Sequence, residues 1–406
     1  MSNLEELIER LCPDGVEYKT LTELFDTRNG YTPSKSKEEY WTNGTVPWFR
    51  MEDIRENGSI LSKAIQYVSE SAIKGSLFPA DSIIVATSAT IGQHALIRVP
   101  SLANQRFTYL VLKEEFKEQL DIMYIYYCCF KLDEYCKECL NQGNFASVDM
   151  KKFLKFKFPV PPLEVQREIV RILDNFTFLT TELAAELAAR QKQYEYYRDL
   201  LLTFKPNEST ILNERTNELE LSGTIRWMKL GDIADIGTGN GNTNEGLDTG
   251  KYPFFVRSQD IKYKNEYDFD ETAIITSGDG VGVGKIFHFV SGKYALHQRA
   301  YRVHITSDNV LPKYFFYYFK NSFLTYISKA SFHSSVTSIR RPMMINFPVP
   351  VPPLEVQQRI VDIIDRFDTL CNDITSGLPA EIEMRQKQYE YYRDKLLTFK
   401  ELKKEA

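Results

Sequence analysis

The sequence predicts an α+β protein. It reads as two mixed α/β blocks with twisted, mostly antiparallel sheets, separated by two long, coiled-coil-like antiparallel helices in a pseudo-two-fold arrangement. Three observations lead there. RQKQYEYYRDLLLTF, residues 190–204, returns as RQKQYEYYRDKLLTF, residues 385–399, with only Leu200 exchanged for Lys395. FPVPPLEVQREIVRILDNF (158–176) returns as FPVPVPPLEVQQRIVDIIDRF (347–367). Ahead of each copy lies a weaker match: VPWFRMEDI with YPFFVRSQDI, DSIIVATSATIG with ETAIITSGDGVGVG, and NQRFTYLVL with HQRAYRVHI. A repeat of this length is half a molecule used twice.

The elements follow in order. A chain of 406 residues exceeds one ordinary core, so several domains are expected. The repeat divides it into a variable block with a short N-terminal helix (1–157), a helical region with its linker (158–222), a second variable block (223–346) and a C-terminal helical region (347–406). Within the blocks, SIIVAT, FTYLVL, TAIIT and AYRVHI are β-branched and aromatic runs bounded by Gly, Asn and Pro, which read as strands. Each block closes on an aromatic-rich helix, LDIMYIYYCCFKLDEYCKECL or PKYFFYYFKNSFLTYISKA. Prolines at 159, 161 and 162, and at 348, 350, 352 and 353, then end the block and open the next helix, because proline is accepted in a first turn but not beyond it.

The helical regions carry apolar residues at steps of three and four. In the first the stripe is Ile169, Ile172, Phe176, Leu179, Leu183, Leu187, Tyr194, Tyr197, Leu201 and Phe204; in the second it is Ile360, Ile363, Phe367, Leu370, Ile374, Leu378, Ile382, Tyr389, Tyr392, Leu396 and Phe399. Such a stripe is a coiled-coil seam. Two near-identical seams in one chain are buried most simply against each other, antiparallel. Tyr194, Tyr197, Leu201, Tyr389, Tyr392 and Leu396 are therefore assigned to the seam or to partner docking rather than to base stacking, since a spacing of three places 194 and 197 on one face. Gly377 and Pro379 interrupt the second seam and predict a break or a kink there.

Composition excludes little. The net charge of −5 conceals a basic second block, with 15 Lys and Arg against 11 Asp and Glu over 223–346, so charge does not decide whether nucleic acid is bound. The opening MSNLEELIERLCPDG has no basic segment followed by an apolar one, and no run reaches the roughly 20 apolar residues of a membrane span. A cytoplasmic protein without a membrane partner is expected. Cys136 and Cys139 form a lone C-x-x-C without a second metal-ligand pair, so Cys128, Cys129, Cys136 and Cys139 are expected as buried thiols, with no metal site. SGDGVGVGK (277–285) imitates a phosphate loop but has Asp279 where glycine is needed and Ile286 where Ser or Thr is needed. It is read as a sheet-edge turn.

These features together resemble the specificity subunits of type I restriction-modification systems. The VPVPPLEVQ openings, the QYEYYRDKLLTF closings, the alternation of variable and helical regions and the tandem TELAAELA (181–188) carry the resemblance. It implies two target-recognition domains, each reading one half of a bipartite, asymmetric site in double-stranded DNA, with helices that set the spacer and dock two methyltransferase subunits. Motor and endonuclease subunits would complete the assembly. The resemblance implies no catalysis and no cofactor in this chain, with S-adenosylmethionine, ATP and Mg expected in partner subunits. In agreement, no Asp-or-Asn-Pro-Pro-aromatic motif is present, and five histidines support no catalytic triad. A two-module coiled-coil scaffold that binds proteins instead of DNA is the alternative.

Reading DNA requires forked donors such as Arg and amides for bases, and Lys, Ser and Thr for phosphates. The candidates in the first block are Lys35, Lys37, Arg50, Thr87, Ser88, Thr90, Gln105, Arg106, Asn144 and Ser147. In the second they are Arg257, Ser258, Gln259, Ser277, Gln298, Arg299, Ser335, Thr337, Arg340 and Arg341. The Gln-Arg pair recurs at 105–106 and 298–299, which favours a structural or phosphate role for it over base reading.

Overall fold

The computed structural model describes residues 2–141, 146–204, 210–211, 221–222, 225–330 and 338–402. It forms two compact units: Met1–Glu182 with Ile382–Ala406, and Leu183–Glu381. Both boundaries fall within helices.

In the first unit the strand Glu17–Thr20 pairs antiparallel with Lys157–Val160. A five-stranded sheet follows in the order Phe25–Asn29, Phe107–Leu112, Ser82–Ala86, His94–Ile97, Ile60–Leu61. Its pairings are antiparallel except the last. A second sheet joins Tyr67–Val68, Val46–Phe49 and Leu102–Ala103. The second unit repeats the plan, with Arg226–Lys229 on Pro348–Val351 and one six-stranded sheet in which only Tyr252–Phe255 runs parallel to its neighbour Phe287–Leu296. The mostly antiparallel sheets expected from the β-branched runs are thus present.

The repeat holds at the level of individual hydrogen bonds. Gln166, fully buried, accepts from the Asp121 amide (2.9 Å) and donates from Nε2 to the carbonyls of Gln119 (2.9 Å) and Pro161 (2.7 Å). Gln357, equally buried, accepts from the Leu311 amide (2.8 Å) and donates to the carbonyls of Asn309 and Pro352 (both 2.8 Å). PPLEVQ is repeated because in each unit a buried carbonyl at the end of the proline-terminated strand and two part-buried backbone groups ahead of the aromatic helix are satisfied together by one side-chain amide of the next helix. The helix Ile122–Glu138 is tied in by Tyr124 to the Pro159 carbonyl (3.2 Å) and Tyr127 to Asp174 (2.5 Å). The helix Pro312–Ala330 uses Tyr314 on the Pro350 carbonyl (2.9 Å) and Tyr317 on Asp365.

The LLTF endings repeat for the same kind of reason. Leu396 and Leu397 lie in the core of the first unit, where Tyr18 donates to the Phe399 carbonyl (3.0 Å) and the Val16 amide donates to Lys400 (2.9 Å). Leu201 and Leu202 lie in the core of the second, and Phe204 packs edge-on against Tyr314 and Tyr318. Each copy therefore closes on a core that the other half's block supplies.

Of the two long helices expected, the first is continuous and the second is interrupted where Gly377 and Pro379 predicted it. The first is one helix, Leu163–Leu202, of 40 residues. The second is two, Leu354–Asn372 and Leu378–Leu396. Asp373 fills the gap, accepting from the Thr375 amide (2.7 Å) and hydroxyl (2.6 Å) and the Ser376 hydroxyl (2.5 Å). These donors hold its carboxyl at about 2. An added Cβ at Gly377 would meet backbone oxygens of Thr369 and Asp373 at 2.5 and 2.7 Å, so the reversal into the next helix needs glycine.

All six cysteines are buried and unpaired. Burial raises Cys128 and Cys136 to about 12, as for small hydrophobes rather than reactive thiols. The 277–285 segment connects the strands Phe269–Ser277 and Phe287–Leu296, with Gly280 and Gly284 at positive φ. It is a turn between antiparallel neighbours.

Replacing Gln166 by Leu removes its bonds to the buried Pro161 carbonyl and to the part-buried Asp121 amide and Gln119 carbonyl while keeping an apolar body. Each orphaned group costs about 1–3 kcal/mol, so Gln166→Leu should destabilise the first unit by roughly 2–5 kcal/mol in urea or thermal melts. A loss below about 1 kcal/mol would contradict this account.

Candidate nucleic-acid interface

The strand register brings distant candidates together at one edge of each sheet. In the first unit the Thr87 amide donates to the Arg106 carbonyl (3.0 Å) and the Thr87 carbonyl accepts from Val148 (2.9 Å), while Ser88 bridges Ser147. In the second, the Gly278 amide donates to the Arg299 carbonyl (2.9 Å), the Gly278 carbonyl accepts from Ile339 (2.8 Å), and Asp279 bridges Ser338. Segments around 88, 106 and 147, and around 279, 299 and 338, are thus the same three-stranded meeting point built twice.

The side chains at these points differ. Lys35, Arg50, Gln105 and Arg106 line a cleft of about 850 Å3 with Thr32, Trp41, Trp48 and Gln66. Arg50 lies over Trp48, 5.7 Å from its ring, and its Nε has no hydrogen-bond partner among the described residues. Gln105 accepts from the Thr32 hydroxyl. Lys37 is exposed outside the cleft, on the Tyr40 hydroxyl (3.1 Å). Thr87 spends its hydroxyl on Thr108 (3.0 Å), and Thr90 is half-buried in the following turn. Asn144 lies outside the described residues.

In the second unit Arg257 and Arg299 are both held by Asp279, at 2.7 and 3.0 Å. Burial raises the Asp279 pKa, but these two guanidinium bonds outweigh it and leave the carboxyl below its usual range. Gln298 donates to Asn242 (2.6 Å), which itself donates to Glu245. Gln259, Arg340 and Arg341 are exposed, and Ser258 donates to the Asp260 carbonyl (2.9 Å). Ser277 corrects the expectation of an outward contact. It is fully buried, with its hydroxyl on the Asp279 carbonyl (2.9 Å), because it ends an inner strand. Ser335 and Thr337 lie outside the described residues. His297, beneath this cluster, has its pKa lowered by burial and by the Arg257 charge, and its Nδ1 accepts from the Arg299 amide (3.0 Å).

Sequence reasoning missed Trp41 and Trp48, and it missed Asp279 as a partner for arginine. Trp48 carried a signal in its repeat position, where Phe254 stands in the second unit. The Asp279 pairing carried none, since it joins residues 20 and 22 positions apart through strand register.

Comparison with known proteins decides the family. The profile described as Type I restriction modification DNA specificity domain matches residues 13–190 and 224–384. The chain belongs to the type I restriction-modification specificity family. A relative in this family, the EcoprrI specificity subunit of Escherichia coli, is 39% identical over 392 residues, covering 92% of each chain. The EcoR124I/EcoR124II specificity subunit of the same organism is 35% identical over 292 residues, covering 63% of this chain and 68% of its own. Among solved structures, the HsdS subunit from Thermoanaerobacter tengcongensis has a TM-score of 0.56 at 16% identity, covering 95% of this chain and 97% of its own. The S subunit from M. genitalium has a TM-score of 0.53 at 15%, covering 94% and 96%. At such identities these two establish the fold.

The repeated helices of this specificity chain separate two roles that the stripe had merged. Tyr194 and Tyr197 are half-buried against Phe367, with centroids at 6.2 and 5.8 Å. Tyr392 stacks on Phe176 at 5.5 Å. Tyr389 packs against the first unit's core, whereas Leu201 and Leu396 are buried within their units. Tyr196 and Tyr391, off the seam, are 64% and 62% exposed. Tyr197→Ala should accordingly cost roughly 1–3 kcal/mol of stability through the lost ring packing. Tyr196→Ala should stay within about 0.5 kcal/mol. Equal losses in chemical denaturation would show the assignment of faces to be wrong.

Proposed function

We propose that this chain is the sequence-reading subunit of a type I restriction-modification complex and that each unit reads one half of a bipartite DNA site. The observation that carries this is the meeting point built twice. A matched backbone frame carries different side chains in the two units, Ser88 in one and Asp279 with its two arginines in the other, as two readers of different sequences require, since phosphate contacts position and base contacts specify. Membership of the specificity family supports the same reading, and no feature favours the protein-binding scaffold.

The chain itself would do no chemistry. Two methyltransferase subunits, docked on the repeated helical regions, would flip and methylate an adenine at N6 from S-adenosylmethionine, and motor-endonuclease subunits would use ATP and Mg to cut unmodified DNA. The exposed Tyr196 and Tyr391, at matching places in the repeat, are suited to such docking because tyrosine offers a large apolar face with a polar tip.

The complex with its methyltransferase subunits should bind a split sequence tightly, with log K falling linearly as log salt rises and a slope of several units. Binding that ignores sequence would refute the reading. A second expectation concerns the helix Leu163–Leu202, which contributes its first part to one unit and its second to the other. The division falls inside TELAAELA, where the residues are exposed or half-buried. Four more residues lengthen a helix by about 6 Å and turn it by roughly 40°, against about 3.4 Å per base pair. Duplicating Thr181–Ala184 should lengthen the preferred spacer by one or two base pairs, mapped as methylated adenines across a genome, with both half-sites unchanged. An altered half-site would contradict the helix as spacer.

A further inference from the structure

The two meeting points differ most sharply at one backbone position. Ser88 and Asp279 occupy it, as three matched backbone contacts in each unit show: the preceding amide to Arg106 or Arg299, the preceding carbonyl from Val148 or Ile339, and the bridge to Ser147 or Ser338. Each unit also carries an arginine just beyond its inner parallel strand, Arg50 after Val46–Phe49 and Arg257 after Tyr252–Phe255. Arg106 and Arg299 are therefore at the same place in both frames, whereas by strand register Arg257 stands where the first unit has Met51, one residue beyond Arg50. The carboxylate belongs to the second alone.

That carboxylate sets the geometry. Asp279 takes Nη1 of Arg257 on Oδ1 and Nη1 of Arg299 on Oδ2. The arginine side chains remain 39% and 61% exposed, while Asp279 is 24% exposed. A guanidinium tied through one Nη keeps its Nε and second Nη as a free parallel edge, and fixing its plane removes rotamer entropy before any ligand arrives. Such an edge matches the O6 and N7 acceptors of guanine in the major groove. A phosphate contact needs no such fixing, because a point charge suffices, and the bond to Asp279 sets Arg299 apart from the phosphate or structural role that the recurring Gln-Arg pair suggested. In the first unit Arg106 has no carboxylate partner among the described residues, and Glu52 lies 3.9 Å from Arg50 Nε.

Resting on the DNA-reading function above, we propose that Arg257, Asp279 and Arg299 form a guanine-reading element of the second unit. In it Asp279 is the positioning residue that holds the two arginine forks toward the base, and Ser88 denies the first unit the same preference. The element gives the two units different sequence preferences on one shared frame.

The test is a genome-wide map of methylated adenines made with the complete methyltransferase complex, comparing the parent with Asp279→Asn and Asp279→Ser. Either variant should lose discrimination for guanine at one or two positions of one half-site by roughly 5- to 150-fold, the range for a bidentate contact, with every other position unchanged. Ser88→Asp should alter the other half-site. An unchanged motif, or methylation weakened equally at all sites as a phosphate contact would cause, overturns the proposal. If the variants methylate nothing, the parent complex decides. Replacing single guanines by 7-deazaguanine removes one acceptor and should weaken its binding about tenfold at the arginine-read base, and no loss at any guanine overturns the proposal. A parent complex that methylates no split sequence would instead refute the function itself.

Discussion

The buried amide of Gln166, and its twin Gln357, is the interaction on which each unit depends. A strand that ends in consecutive prolines cannot continue its own ladder, because proline lacks the donor. The backbone beside it must nonetheless be buried, since the next helix starts there. One glutamine satisfies a donor at the start of the aromatic helix and two carbonyls, one of them belonging to the proline pair. Strand, aromatic helix and repeated helix are thereby fixed at a common corner. Any other side chain of similar size would leave part of that set unpaired, which explains why the two copies are identical from Pro161 to Gln166 and from Pro352 to Gln357.

From that corner the rest of each unit follows by adjacency. The tyrosine-to-aspartate bonds, Tyr127 to Asp174 and Tyr317 to Asp365, hold the aromatic helix along the repeated one and carry the core to its outer side. The LLTF segments then seal the remaining face. In the first unit this uses residues nearly four hundred positions apart, as with Tyr18 and Phe399. The closing turn of each helical copy is thus stabilised by a partner far away in sequence, so the two copies are bound to resemble each other even where the blocks between them diverge.

How much of this was legible in sequence depended on the range of the interaction. The strands, the aromatic helices and the repeated seams were readable because periodicity and proline placement are local signals. The break at Gly377 was readable for the same reason, although the cap that makes it tight, Asp373 on Thr375 and Ser376, was not singled out. The candidate donors were recognised by type, and strand register gathers several of them at one edge. Type alone could not distinguish Ser277, buried at a strand end, from Ser88 in the turn, nor could it reveal that Asp279 engages two arginines. Those facts depend on which residues face each other across strands, and register is a tertiary property.

The divergence of the two units within a common frame has a further instance inside the core. His94 stands where the second unit has Phe287, opposite Val85 and Thr276 respectively. It is bonded through Nδ1 to Asp133 at 2.6 Å, while Phe287 packs on Phe323 at the corresponding helical position. The fold is therefore compatible with an apolar pair at this place, and a buried ionisable pair adds little net stability over well-packed rings. His94 Nε2 and Asp133 Oδ1 are buried without partners among the described residues, so the polar version carries a cost that the apolar one avoids. The repeat consequently constrains the corner, the seam and the closing segment, where backbone satisfaction depends on particular side chains. It leaves the interior free to vary where only volume must be conserved, and the sheet edge free to vary where side chains face outward. The proposed reading of DNA by two units on one repeated frame requires that division, because the frames must match while the residues that read differ.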